Sequence, residues 1–346
     1  MMKVFTKVFS IVVLLALSVN SRAQSSEEAV TYMNSVTEHV FSLQDESWKY
    51  IKAVTRGRSA RKVEKKRQDL VEETRNARLK VRKVRPFHGN SELKDAVLTY
   101  LEISEKILNE QYAEIVDLEE VAEQSYNAME AYLLAQEKAS EAFKDAFATM
   151  VAAQYAFGDE FNVEIAKAEE TRRDKKMKRA SEALRYYNKV YLIFFKCNIQ
   201  EKTVLELLNA GKTEGHEVAT QTLVDYAEEG LAKLDTMQAF DGDSDLIQTT
   251  VELMEFFKLQ GAEYFPDFFA FQISLGAFKE VQAELESTKK KHRTKELIDR
   301  YNTASKEYNS WVEKYNKINQ TTNKSRTKYY ESWNKAVDTF FRKHAR

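Results

Sequence analysis

Apolar residues recur at every third or fourth position along most of this chain, with charged residues filling the intervals. From Val63 one seam runs through Leu70, Thr74, Ala77, Val81 and Val84. That spacing predicts an amphipathic helix. Near the C-terminus, Leu297, Tyr301, Ala304, Tyr308, Trp311, Tyr315 and Ile318 repeat the pattern. Their wide rings suit a multi-helix core better than a narrow two-stranded coiled coil. Periodicity stops at Gly57, Gly89, Gly158, Gly211, Gly215, Gly242 and Gly261, where helix ends are expected. Two prolines and nine glycines in 346 residues leave little to interrupt helices, since glycine costs about 1 kcal/mol and proline about 3 kcal/mol in a helix interior. The expected fold class is all-α.

The pattern also repeats at long range. Phe87-His88-Gly89-Asn90-Ser91-Glu92-Leu93 returns as Phe240-Asp241-Gly242-Asp243-Ser244-Asp245-Leu246, 153 positions later. The same offset pairs Leu70 with Leu223, Val71 with Val224, Ala77 with Gly230, Val81 with Leu234 and Val84 with Met237. A shared turn joined to a shared upstream seam indicates internal duplication. In each copy the glycine can take positive φ to end one helix, and Asn90/Ser91 or Asp243/Ser244 can cap the next. Two tandem antiparallel bundles are therefore expected, at residues 24–160 and 161–346, joined by a long helix from about Phe161 to Asn209.

The first residues change the picture of where the chain works. Lys3 and Lys7 precede an apolar run from Val8 to Val19, and Ser21-Arg22-Ala23 offers small residues flanking a cleavage point. These are the parts of a removable secretory signal peptide, residues 1–23. The run is shorter than the roughly 18–20 residues a membrane span needs, and no later stretch is long and apolar enough. The single cysteine, Cys197, excludes an intramolecular disulfide. It sits in the apolar stretch Tyr191-Leu192-Ile193-Phe194-Phe195-Lys196-Cys197, as a buried small hydrophobe would. No cysteine follows the signal, so lipidation as an anchor is not expected. A large exported chain without disulfides points to the bacterial cell surface, outer envelope or periplasm.

Several chemistries lack their residues. None of His39, His88, His216, His292 or His344 has glutamate three positions before it, and no two are four apart; di-iron and zinc helices need those spacings. Asp241, Asp243, Asp245 and Glu252 echo a calcium loop, but Leu246 stands where its glycine must turn. Gly211-Lys212-Thr213 lacks the first glycine of a phosphate loop, because Glu206 stands there. No Gly-x-Ser-x-Gly occurs. No catalytic residue, metal or cofactor is therefore expected, and the chain reads as non-enzymatic.

Charged residues make up 31% of the chain at a net charge of −1, a balance that argues against specific nucleic-acid binding. One block departs from it. Arg56, Arg58, Arg61, Lys62, Lys65, Lys66 and Arg67 are continued by Arg75, Arg78, Lys80, Arg82, Lys83 and Arg85. Arg58, Arg61, Lys62, Lys65 and Lys66 are the candidate contacts for an anionic envelope polymer or another surface protein. The alternative is internal: the next helix is acidic (Glu102, Glu105, Glu110, Glu114, Asp117, Glu119, Glu120, Glu123) and can neutralise the block. A second candidate is the aromatic run containing Phe257, Phe265, Phe268 and Phe269. It either lines a groove for an apolar ligand, as in a periplasmic carrier, or forms core.

Gly57-Arg58-Ser59-Ala60-Arg61-Lys62-Val63-Glu64-Lys65-Lys66-Arg67 and Ala122-Glu123-Gln124-Ser125-Tyr126-Asn127-Ala128-Met129-Glu130-Ala131-Tyr132 resemble a family of uncharacterised helical surface proteins of spirochaetes and Bacteroidetes. The resemblance covers mainly the first half. It implies a cell-surface or outer-envelope location and brings no catalytic residue and no ligand. The leading expectation is an envelope protein that presents helical faces to a partner; the apolar carrier is the alternative.

Overall fold

A computed structural model describes residues 21–55, 60–111, 124–166 and 171–345. Most of the expected signal peptide, together with Arg56 and Arg58, lies outside these residues. The fold is all-α. The described helices are α1 (Ser21–Thr55), α2 (Ala60–Lys83), α3 (Glu92–Lys106), α4 (Tyr126–Glu160), α5 (Arg172–Asn209), α6 (His216–Asp235), α7 (Asp245–Leu259), α8 (Phe265–Ser287) and α9 (Lys295–His344). Single π-helical turns, Ile107–Gln111 and Gln260–Tyr264, continue α3 and α7. Among the described residues no helix is long and apolar enough to cross a membrane.

The long helix starts later than Phe161. Asn162 takes φ 55, Val163 N–H turns back to Gly158 O at 2.8 Å, and the helical path ends there. It restarts through a reciprocal cap. Thr171 N–H donates to Asp174 Oδ2 at 2.9 Å, and Asp174 N–H donates to Thr171 Oγ1 at 3.1 Å. Two donors that a helix start would leave unpaired are thereby satisfied. The chain divides into two compact units, one running to Asn188 and including Thr339–Arg346, the other Lys189–Asp338. The division thus falls at residue 188, beyond the boundary at 160 that the sequence suggested.

In the first unit α1 to α4 run alternately up and down. Ala29, Met33, Val36, Val40 and Leu43 of α1 pack on Ala77 and Val81 of α2, Leu93, Val97 and Leu101 of α3, and Phe147, Met150 and Phe157 of α4. The turn between α2 and α3 is held from beneath by Phe87. Its ring lies 5.2 Å from Tyr32, 5.6 Å from Phe157 and 5.0 Å from Phe161. Each such aromatic pair contributes about 0.5–1.5 kcal/mol beyond burial.

The same conformation occurs again 153 positions later. Phe87 and Asn90 exchange backbone hydrogen bonds of 3.0 and 2.8 Å, and Phe240 and Asp243 exchange bonds of 3.1 and 2.9 Å. Between them His88 and Gly89, or Asp241 and Gly242, take positive φ, the geometry of a tight two-residue turn. The side chains of Asn90 and Asp243 cap the following helices, accepting from Glu92 N–H at 2.9 Å and Asp245 N–H at 3.1 Å. Ser91 and Ser244 make no capping bond. Buried Leu93, Val97, Leu101 and Ser104 of α3 have counterparts in buried Leu246, Thr250, Met254 and Phe257 of α7.

The second unit closes around α5, α7 and α9. Trp333 stacks on Phe194 at 4.1 Å and donates to Thr250 Oγ1 at 3.1 Å. Farther along, Phe271 and Phe278 of α8 stack with Tyr315 and Tyr308 of α9 at 4.3 and 5.1 Å. At the π turn, α6 comes very close: a Cβ on Gly261 would lie 2.8 Å from Thr220 O and 2.8 Å from Val224 Cγ2. Gly276, in α8, has nothing within 4 Å of such a Cβ. Gly261→Ala should therefore destabilise the protein by about 1–3 kcal/mol through overpacking. Gly276→Ala should stabilise it by about 0.5–1 kcal/mol through helix propensity. Denaturant midpoints of the two variants check this pair of opposite signs.

Candidate functional site

The basic block lies on α2, whose buried stripe Leu70, Thr74, Ala77 and Val81 fixes which side chains face outward. Part of the block is neutralised internally. Arg67 grips Glu64 through Nε at 2.8 Å and Nη2 at 2.6 Å, and its Nη1 donates to Leu108 O on the π turn. These bonds hold Glu64 below the usual carboxylate range. Arg75 and Arg78 both pair with Glu105 of α3 at 2.9 Å. Lys66 pairs with Asp69 on its own helix at 2.6 Å.

The rest of the block is not used this way. Arg61, Lys62 and Lys65 are exposed, as are Lys80, Arg82, Lys83 and Arg85. Among the described residues none of these seven makes an ion pair. Unpaired bases therefore gather at both ends of α2, flanking the paired centre. Of the acids expected to face the block, Glu105 takes that role and Glu102 is exposed. Those from Glu114 to Glu123 lie outside the described residues, as does Arg58.

The four candidate groove aromatics are interior. Phe257, Phe265 and Phe269 are fully buried and Phe268 nearly so. Phe257 meets Tyr330 edge-on at 6.1 Å, Phe268 meets Tyr315 at 5.4 Å and Phe269 lies against His216 at 4.6 Å. They fill core rather than line an open groove, because rings from Tyr330, Tyr315 and His216 pack against them. Cys197 is buried, and burial pushes its thiol up to about 12, the environment of an unreactive thiol. Asp241 opens the turn and Asp243 caps α7, so the acidic run serves the helix start. Among the described residues no group of His, Cys, Asp and Glu is arranged to hold a metal ion.

A polar cluster that the sequence reading passed over lies inside the second unit. Glu201 of α5 is completely buried. Its Oε2 accepts from Tyr330 Oη at 2.7 Å and from Arg326 Nη2 at 3.0 Å. Tyr330 Oη also lies 2.7 Å from Asn198 Oδ1. The amide of Gln260, first residue of the π turn, stands beside the carboxyl. Glu201 Oε1 and Gln260 Oε1 have no hydrogen-bond partner. Burial raises the Glu201 carboxyl above its ordinary range despite the opposing pull of Arg326, and it raises the Tyr330 phenol too. The signal was present: Val190, Phe194, Cys197, Glu201 and Val204 stand at steps of four and three. A glutamate on such a stripe is carried inside with its neighbours.

No protein-family model, curated protein or solved structure matches the chain.

Folded Glu201 holds its proton more tightly than the unfolded chain does. Its contribution to stability is greatest below the ordinary carboxyl value of 4.5 and is lost as pH rises through the raised folded value. In Glu201→Gln that loss is absent. The stability of the variant relative to wild type should therefore climb with pH from near 4.5 upward and then level off. Denaturant unfolding of both proteins at a series of pH values tests this; a pH-independent difference would show that Glu201 titrates as an ordinary carboxyl.

Proposed function

We propose that this is an exported, non-enzymatic protein of the bacterial cell surface or outer envelope that works by presenting helical faces to an anionic partner. The contact lies on α2, and one observation carries it. In a single basic helix, Arg67, Arg75 and Arg78 are consumed by internal acids, whereas Arg61, Lys62 and Lys65 are exposed and unpaired among the described residues. A side chain that folding does not use and that stays hydrated is available to a partner. An anionic envelope polymer fits this chemistry, and an acidic patch on another surface protein is the same chemistry in a different carrier.

Location rests on the charged, short-apolar, small-residue pattern of residues 1–23 and on the resemblance of Gly57–Arg67 and Ala122–Tyr132 to helical surface proteins. No cysteine follows residue 23 directly, so lipidation there is not part of this reading. We further propose that residues 70–104 and 223–257 descend from one duplicated unit, supported by the turns, caps and buried positions shared at a constant offset. The two copies have diverged in charge, and the basic face belongs to the first.

Binding of the purified mature chain to isolated envelopes tests the reading. It should weaken steeply as ionic strength rises from about 0.01 M to about 0.15 M, where the screening length falls from about 30 Å to about 8 Å. Arg61→Glu with Lys65→Glu should lower affinity about tenfold or more without changing the melting temperature. Binding indifferent to both salt and charge reversal would sink the proposal. Protease shaving of intact cells checks location independently: digestion places the chain outside the outer membrane, protection places it in the periplasm.

A further inference from the structure

We infer that the outer face of α9, within the unit Lys189–Asp338, is a second anion-contact surface, and that the partner it fits is a hydrated linear polyanion of the acidic-polysaccharide class. This deepens the reading above and rests on it for the sign of the partner's charge.

The stretch from Lys314 to Tyr330 contains five basic residues and no acid. The helix sorts those five into two sets. Lys314 and Arg326 turn to acids of their own unit, Asp267 at 2.6 Å and Glu201 at 3.0 Å. Lys317, Lys324 and Lys328 are exposed, as is Lys335 about two turns farther on, and among the described residues none of them makes an ion pair. Steps of seven, four and seven residues keep these four side chains within a narrow band of the helix surface. At about 1.5 Å per residue the band is about 27 Å long. An open depression of about 640 Å³ lies along it, beside Lys324, Lys328 and Lys335 and floored by Asn323, Thr327 and Ser332; Glu331 is the one acid in its lining.

The lining selects the partner. It has no apolar side chain, whereas a membrane-seated helix needs an apolar face to bury, and a stable protein interface needs a desolvated anchor. A nucleic-acid strand gains much of its affinity by stacking bases on open aromatic faces. Here the nearest ring, Tyr329, is half-buried, with Phe256 5.0 Å from it and the Lys328 ammonium 5.3 Å from its centre. What this face offers is a row of hydrated ammonium groups with short hydroxyl and amide side chains between them. Carboxylated or sulfated sugars present the matching row of anions and hydroxyls.

The test is titration of the full mature chain with a heparin fragment and a uronic-acid oligomer, beside duplex DNA and phosphatidylglycerol vesicles, at low salt. Lys324→Glu with Lys328→Glu should weaken polysaccharide binding about tenfold or more, whereas Lys324→Arg with Lys328→Arg should retain it. Unchanged helical content and melting temperature exclude misfolding as the cause. If the α9 reversal leaves polysaccharide affinity within about twofold while Arg61→Glu with Lys65→Glu abolishes it, the α9 inference fails and the α2 reading survives. If the wild-type chain binds neither polysaccharide, the α9 inference fails, and the α2 reading is decided separately by binding to isolated envelopes. Tighter binding to DNA or vesicles than to either polysaccharide would overturn the assigned class.

Discussion

Each helix of this protein carries one stripe that has to leave water, and the rest of the structure is arranged around that demand. A single cysteine permits no internal disulfide, so the folded state rests on burial, worth about 1.5–3 kcal/mol for each large apolar side chain against the cost of ordering the chain. In α5 the stripe is Val190, Phe194, Cys197, Glu201 and Val204, all buried. Four apolar members hold the helix at that rotation, and the rotation carries the fifth, a carboxyl, inside. Tyr330, Arg326 and Gln260 limit what that burial costs. Removing the arginine would leave the buried carboxyl without its charged partner, a destabilising change. Arg326 is thus tied to α5 more firmly than a surface arginine would be.

The two turns at 87–90 and 240–243 meet one problem in one way: positive φ at two successive residues, and an Asn or Asp side chain capping the next helix. One helix later the solutions part. In the first unit the carbonyl of Leu108, at the π turn, is met by the arginine fork of Arg67. In the second, the position of Leu108 is Gly261 and that of Arg67 is Thr220, and the helices touch backbone to side chain with no room for a Cβ. A π turn leaves main-chain groups that need new partners. A long cation reaching across a gap and a glycine closing the gap are two answers to that need.

Much of this was legible in the sequence, and what was not had physical causes. The α2 and α9 seams and both turns follow from spacing alone, because a helix has one way to bury residues three and four apart. The break between α4 and α5 was hidden: residues 157–166 remain apolar enough to look helical, while the stop is made by left-handed Asn162 and the restart by the Thr171–Asp174 cap. Both are short-range events that periodicity does not register. The aromatics at 257–269 were visible as a cluster, but whether rings line a groove or fill a core depends on what packs over them, and Tyr315, Tyr330 and His216 come from distant sequence. Glu201 was legible in principle, by its place on the stripe. Its partners were not, since Arg326 lies 125 residues away.

The sorting of charge follows from the same burial. Among the cations drawn partly inside, Arg67 and Arg78 keep only 12% and 20% of their side-chain surface. A planar, weakly hydrated guanidinium tolerates that and grips a carboxylate at two points. Lysine loses more hydration for one contact, and on α9 Lys317, Lys324, Lys328 and Lys335 stay in water. Acids matched to cations of their own unit are used up in folding, so what remains on the outer face of α2 and along the Lys317–Lys335 band of α9 is predominantly of one sign. A net charge of −1 for the whole chain is then no guide to what a partner meets: the balance is struck over the whole chain, and recognition happens face by face.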